Sequence, residues 1–202
     1  MNINMFIKYL LIFVAVIGCS YGESDFFEWK DYDRTNIPDD AVVVDAHNPR
    51  GPIYLGVVTL VDTENIALIP VNILGGSWYV NVTLGKRPYI ASKNIKIACR
   101  KDKDLVWRTS NQDDFESLFD RDDYTPIEIG WEANSRLSYN ASIYVGQGPT
   151  GGGNLIGKIY RGLKGSPYQH QEGILYMDGT SVEVPYQDMG GQYQIAVSMK
   201  DE

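Results

Sequence analysis

The residues with the chemistry to act as catalysts are few. His47 and His170 are the two histidines of the chain, and neither stands at metal-ligand spacing from a cysteine, a glutamate or the other histidine. Cysteine is limited to Cys19 and Cys99, and Cys99 falls in an apolar, alternating stretch. There is no Gly-x-Ser-x-Gly elbow to expose a nucleophile. A carboxylate pair for glycoside hydrolysis could be drawn from Glu132, Asp178 and Glu183, but any acidic β protein offers such pairs. The inventory therefore points away from an enzyme.

The stretch from Ala141 to Arg161 carries the densest motif. Gly146-Gln147-Gly148-Pro149-Thr150-Gly151 has the glycine spacing of a dinucleotide-binding turn, and Gly152 to Lys158 has most of a phosphate-binding loop. The second motif needs Ser or Thr after its lysine to hold magnesium, and Ile159 stands there. Both need a helix whose N-terminus faces the phosphate, whereas Lys158 to Arg161 alternates like a strand. No nucleotide or other cofactor is expected. The aspartate-rich segment from Ser110 to Asp123 invites a calcium reading. However, Asp120-Arg121-Asp122-Asp123 runs on to Pro126 and lacks the glycine and distal glutamate of an EF-hand loop, so it reads as a solvated acidic face and no metal is expected.

The elements that must position these residues read as short strands. Ile143-Tyr144-Val145 and Lys158-Ile159-Tyr160 alternate around six glycines between Gly146 and Gly157, which predicts a hairpin with a glycine-rich loop. A weaker copy lies about ninety residues earlier, with Ile53-Tyr54-Leu55-Gly56 answering Ile143-Tyr144-Val145-Gly146. Further strands are expected at Ser24 to Trp29 (an edge), Ala41 to Asp45, Ile53 to Leu60, Ile66 to Ile73, Trp78 to Thr83, Ile95 to Cys99 and Asp104 to Trp107. In the second half they are expected at Pro126 to Glu132, Gly173 to Met177, Ser181 to Val184 (across an Asp178-Gly179 turn) and Gln192 to Val197. Asp113 to Phe119 could make two helical turns with Phe115, Leu118 and Phe119 on one face. The pattern predicts an all-β fold of two tandem antiparallel units packed with pseudo-twofold symmetry, since each alone is too small to bury much apolar surface. The expected divisions are a signal peptide over 1–22, a first unit over 23–109, an acidic connector over 110–124 and a second unit over 125–202.

Residues 1–22 combine Lys8, an apolar run from Leu10 to Ile17 and small residues at Ser20-Tyr21-Gly22, the layout of a secretory signal, and the run is too short to span a bilayer. Val16-Ile17-Gly18-Cys19 also resembles a bacterial lipoprotein processing site. The acceptors Asn81-Val82-Thr83 and Asn140-Ala141-Ser142 weigh toward the eukaryotic secretory route and an extracellular glycoprotein. Removing the leader leaves 17 basic against 26 acidic residues, a balance that disfavours nucleic acid and anionic membranes. It also leaves Cys99 as the sole cysteine, so no intrachain disulfide forms. Cys99 is expected in the core beside Ile95 and Ile97, with an intermolecular bridge as the alternative.

With both units laid out, the sequence resembles the DM-nine repeat family, also found in natterin-like proteins. The second unit carries the resemblance in Ile129-Gly130-Trp131-Glu132, Ile143-Tyr144-Val145-Gly146, Ile156-Gly157-Lys158-Ile159, Tyr176-Met177-Asp178-Gly179 and Tyr193-Gln194-Ile195-Ala196-Val197. The first carries it in Pro38-Asp39-Asp40-Ala41-Val42, Ile53-Tyr54-Leu55-Gly56 and Ile95-Lys96-Ile97-Ala98-Cys99. The resemblance implies an all-β secreted lectin that binds mannose-type glycans of microbial surfaces, in an innate immune role. It also implies that Glu132 and Lys158 are the polar clamp on the sugar, with Trp131 or Tyr144 as the stacking face. A carboxylate accepting from two adjacent sugar hydroxyls and a lysine donating to their oxygens is reasonable chemistry.

The first unit departs from the family pattern. The family's arginine after Tyr-Val-Gly is Gln147 in one unit and Val57 in the other, Pro70-Val71 answers Gly-Lys, and His47 stands where the acidic residue should be. One working site per chain follows, and affinity would then depend on self-association, a homodimer being the simplest form. A protein of the same fold that serves a structural or interaction role without sugar binding is the alternative. Sugar binding by this chain should survive EDTA, as measured on immobilised glycans; loss of binding that calcium restores would return the aspartate-rich segment to consideration.

Overall fold

The computed structural model describes residues 26–84, 87–100, 106–136, 139–150, 153–163, 169, 173, 175–178, 183–185 and 192–200. The leader lies outside them, as do His170 and the turn residues 179–182. Fifteen strands account for nearly all regular structure among these residues: β1 Phe27–Asp31, β2 Val43–Asp45, β3 Ile53–Val61, β4 Asn65–Leu74, β5 Val80–Leu84, β6 Arg87–Ala91, β7 Ile95–Arg100 and β8 Val106–Ser110 in the first part of the chain. They continue with β9 Tyr124–Pro126, β10 Glu128–Asn134, β11 Tyr139–Thr150, β12 Gly153–Arg161, β13 Leu175–Asp178, β14 Glu183–Pro185 and β15 Tyr193–Met199. A 3-10 helix spans Phe115–Asp120. The fold is all-β and antiparallel throughout, as the alternating pattern predicts.

Nine strands run in the order β1-β7-β3-β4-β10-β11-β12-β13-β14, with β15 branching onto β11, β8 and β9, and β2 onto β3. β1 ends the row, the edge position expected of Ser24 to Trp29, of which the described part starts at Phe26. The same pairing order occurs twice along the chain. β1 pairs β7, β7 pairs β3 and β3 pairs β4, just as β8 pairs β15, β15 pairs β11 and β11 pairs β12. Registers agree as well: Gly56 faces Ile97 as Gly146 faces Ile195, and Trp29 faces Ala98 as Trp107 faces Ala196. The strands entering each hairpin, β2 and β10, both carry a register shift, between Val43 and Asp45 and between Glu128 and Gly130.

Three sequence expectations change. Val106 and Trp107 do not close the first half; they pair with β15, because Trp107 takes beside Ala196 the place that Trp29 takes beside Ala98. The 110–124 segment is likewise not a free connector: Phe115 and Leu118 of the 3-10 helix are buried with Tyr144, Ile159, Tyr193, Ile195 and Val197, and Phe119 packs against them. The glycine-rich stretch is not a loop either. β11 runs to Thr150 and β12 resumes at Gly153, with Gly146 and Gly157 facing each other across the ladder. Glycines are tolerated in a strand where another backbone approaches closely, and Gly146 is where β15 joins β11.

β5 and β6 form a separate two-stranded sheet. Their Val80, Val82, Leu84 and Ala91 pack into one core with Ala67, Ile69, Val71 and Ile73 of β4, Ala141 and Ile143 of β11, and Tyr160 of β12. The hairpin is thus a second layer laid over the inner face of the main sheet, and each fully buried Val or Leu there stabilises by roughly 1.5–3 kcal/mol. Cys99 lies in this core with Ile95 and Ile97, fully buried as expected, and burial pushes its thiol up to about 11, so it is unreactive at neutral pH.

The two halves meet edge to edge where β4 pairs β10. Gly130 sits at that seam, and a methyl group on it would fall 2.1 Å from the carbonyl oxygen of Leu68, a backbone atom that cannot step aside. Gly130→Ala should lower stability by about 1–3 kcal/mol, read as a lower midpoint in urea, because overpacking at an immobile contact forces the strands apart.

Candidate functional site

Strand parity separates the four residues expected to contact sugar. Consecutive residues point to opposite faces, so Glu132 faces inward beside Ala67 and Ala141 while Trp131 faces outward beside Leu68 and Ser142. Lys158 is inward as well, and Tyr144 is outward. A single site containing all four does not form.

Glu132 and Lys158 do converge, twenty-six residues apart in sequence, but they converge in the interior. Glu132 is 2% exposed and Lys158 1%. The carboxyl of Glu132 accepts from Tyr139 Oη at 2.7 Å and from Tyr160 Oη at 2.9 Å. Nζ of Lys158 stands 5.9 Å from the centre of the same Tyr160 ring. It donates to the carbonyl oxygen of Thr83 at 2.9 Å and to the Thr83 hydroxyl at 2.8 Å. Thr83 lies opposite Pro88, which has no N–H to offer the β5–β6 ladder, and its carbonyl accepts from Lys158 across the layers. Burying such groups is costly unless they are hydrogen-bonded, and here each one is.

Register also settles what stands in the first half where Lys158 stands in the second. Leu55 faces Asn72 as Val145 faces Lys158, so the counterpart is Asn72 and not Val71. The physical reason is that antiparallel register, once Gly56 is set on Gly146, counts backwards along the return strand. Asn72 brackets the backbone of β12 from the other half, donating to Ile156 O at 2.9 Å and accepting from Ile156 N at 3.0 Å. β2 ends at Asp45, which faces Ile53 as Gly130 faces Ile143, so His47 lies two residues beyond the strand and is not paired with β3.

On the outer face Tyr144 is 6% exposed, its ring held edge-on by Phe115 at 6.0 Å and Phe119 at 5.1 Å. It offers no open face for a sugar. Arg161 lies on the Phe119 ring at 3.4 Å from its centre and reaches Glu116 at 3.1 Å, clamping the 3-10 helix to β12. A cleft beside this clamp is lined by Glu116, Glu128, Asn140, Ser142, Tyr144 and Arg161. Both glycosylation acceptors, Asn81 and Asn140, are exposed, as attachment would require.

Two features were missed in the sequence. The first is a polar turn: Oδ1 of Asp62 accepts from the amides of Glu64 and Asn65 at 2.8 and 2.7 Å, Oδ2 accepts from Tyr89 Oη at 2.7 Å, and Asn65 in turn accepts from Asn134 at 2.6 Å. This chain pins β6 to the β4–β10 seam. The signal was Asp62-Thr63-Glu64-Asn65 between two apolar strands, an Asx-turn composition. The second is Trp78. β5 begins at Val80, so Trp78 and Tyr79 lie in the preceding turn and not in the strand, and Trp78 is 62% exposed while the other three tryptophans are half-buried.

Among the described residues no group of three or more His, Cys, Asp and Glu side chains could hold a metal ion, and no helix is long and apolar enough to cross a membrane. Partial burial of Asp62 would raise its pKa, but the Glu64 amide, Asn65 and Tyr89 outweigh it and hold the carboxyl down to about 2. A depressed pKa gives stability that is present above the ordinary value of 3.8 and lost as pH falls toward 2. Thermal melts across that window should show a loss in the parent that is smaller in Asp62→Asn; identical slopes would deny the turn its role.

No family model matches the chain, and no curated protein matches it. Among solved structures the chain is similar to the crystal structure of the nematode sperm cell motility protein MFP2B, at 12% identity and a TM-score of 0.51 over 86% of this chain. The match spans 45% of that longer structure, and at this identity it shows a shared β fold and nothing about activity.

Proposed function

We propose that this chain is a non-catalytic, extracellular recognition protein, built from two copies of one β unit that pack about a pseudo-twofold axis because each is too small to bury much apolar surface alone, and that it engages its partner through its outer surface. The observation that carries this reading is the burial of Glu132 and Lys158, at 2% and 1% exposure. The residues that the resemblance assigns to sugar are spent on Tyr139, Tyr160 and Thr83 inside the fold. The repeated pairing order and shared registers support the two-copy reading, and the exposed Asn81 and Asn140 support the secretory one.

A second reading keeps the mannose-type lectin with its site at Glu132 and Lys158, reached when the β5–β6 hairpin lifts. It is favoured by the convergence of the two residues on Tyr160. The readings separate in one experiment, a glycan array and a thermal melt on the parent, Glu132→Gln and Lys158→Met. Under the first reading Lys158→Met costs about 1–3 kcal/mol, the usual cost of stranding a buried acceptor, and leaves binding by the folded protein unchanged. Loss of mannose binding by variants that melt like the parent would establish the second.

A further inference from the structure

We infer that the open edge of β1 is a self-association surface, on which β1 of a second copy of this chain pairs antiparallel about a twofold axis centred on Trp29. Such pairing concerns how copies of the chain join and does not depend on what the outer surface recognises.

β1 ends the row of strands and pairs with β7 alone among the described residues. From Phe27 to Asp31 it pairs with no bulge and no proline to blunt the edge. One bond sets the direction of its main chain. Tyr32 N donates to Ile95 O at 3.0 Å, so Tyr32 and, two and four residues back, Lys30 and Glu28 turn their backbone groups toward β7. Trp29 and Asp31 therefore turn theirs outward. With the twofold axis at Trp29, that residue and Trp29 of the second copy form a hydrogen-bonded pair, each donating its N–H to the carbonyl oxygen of the other.

The side chains make the same register self-complementary. Glu28 falls opposite Lys30 of the second copy, and Lys30 opposite its Glu28, in the non-hydrogen-bonded pairs where side chains lie closest. Centring the axis on Glu28 or on Lys30 would instead set like charges face to face. Both groups are available at the edge: the side chains of Lys30 and Glu28 are 36% and 57% exposed. Asp40, 3.0 Å from Lys30 Nζ, holds that ammonium in place. Trp29 is half-buried and packs on Phe27 at 5.5 Å, and its twin across the axis adds an aromatic cross-strand pair. β8, the matching strand of the second half, also has one neighbour, β15, among the described residues. Its sequence Val-Trp-Arg-Thr-Ser carries one charge, Arg108, which finds no opposite charge when the strand is laid on itself. The charges thus select β1 over β8.

The test is sedimentation equilibrium of the folded full chain over about 1 μM to 1 mM, the affinity range of a small interface. The samples are the parent, Glu28→Lys, Lys30→Glu, the double reversal, and an equal mixture of the two single variants. A parent dimer is expected at the upper end of the range. Each single reversal sets like charges opposite one another in both pairs and weakens dimerisation by about tenfold or more. The double reversal and the mixture recover it, since both restore opposite charges across the axis. Lys30→Glu also loses the Asp40 contact, so Glu28→Lys, which keeps it, carries the result if Lys30→Glu melts early. Hydrogen exchange gives a second reading, with protection of the Trp29 amide rising with concentration. A monomeric parent, a folded Glu28→Lys that dimerises as the parent does, or Trp29 protection independent of concentration would overturn the pairing. Assembly beyond the dimer would overturn the twofold form, because β1 joined to β8 of another copy is a head-to-tail contact that does not close.

Discussion

A lysine whose Nζ is sealed between two β layers is the interaction on which the rest of the molecule depends. Lys158 enters from the main sheet and ends on Thr83 of the β5–β6 hairpin, so one side chain ties the second half of the chain to the lid of the first. The hairpin shares no strand ladder with the main sheet among the described residues and is held by apolar burial and a few polar pins. Apolar contacts hold it down but leave it free to slide, whereas the Lys158 and Asp62–Tyr89 bonds fix its register against the sheet. Glu132 belongs to the same layer, drawing Tyr139 and Tyr160 into order beside the lysine.

This arrangement explains how a polar pair can look like a binding clamp in sequence and act as a brace in the fold. A carboxyl and an amine with hydroxyl partners form the same local chemistry whether the hydroxyls come from a sugar or from Tyr160 and Thr83. What decides between the two is access, and the β5–β6 hairpin removes it. In the first half the equivalent of Lys158 is Asn72, which binds the β12 backbone instead, so both halves spend this position on holding the other.

The strands were legible because their signal is local: a short apolar run rich in β-branched residues and bounded by turn signals, such as Ile66 to Ile73, reads as a strand, and β4 is found there. The likeness of Gly56 to Gly146 was legible for the same reason, and the two take matching places against Ile97 and Ile195. Pairing was not. Val106-Trp107 sits next to β7 in the chain and pairs with the distant β15, and nothing within that stretch reveals a partner nearly ninety residues away. Glycines 146 to 157 mislead because the residue that favours loops is also the residue that lets β15 approach β11. Burial of Glu132 and Lys158 was illegible in principle, since their sequence neighbours are ordinary strand residues and the element that covers them lies some fifty to seventy-five positions away. Trp78 was misplaced by two residues of strand boundary, the least reliable feature of any such reading.

Access to Lys158 is therefore the quantity that matters most, and it is measured directly by amine acetylation of the folded full chain with an N-hydroxysuccinimide ester, followed site by site in the mass spectrometer. Lys93 is exposed and serves as the internal reference. The account predicts that Lys93 is modified while Lys158 stays protected until the protein is unfolded in denaturant. Modification of Lys158 at a rate close to that of Lys93 under native conditions would contradict it.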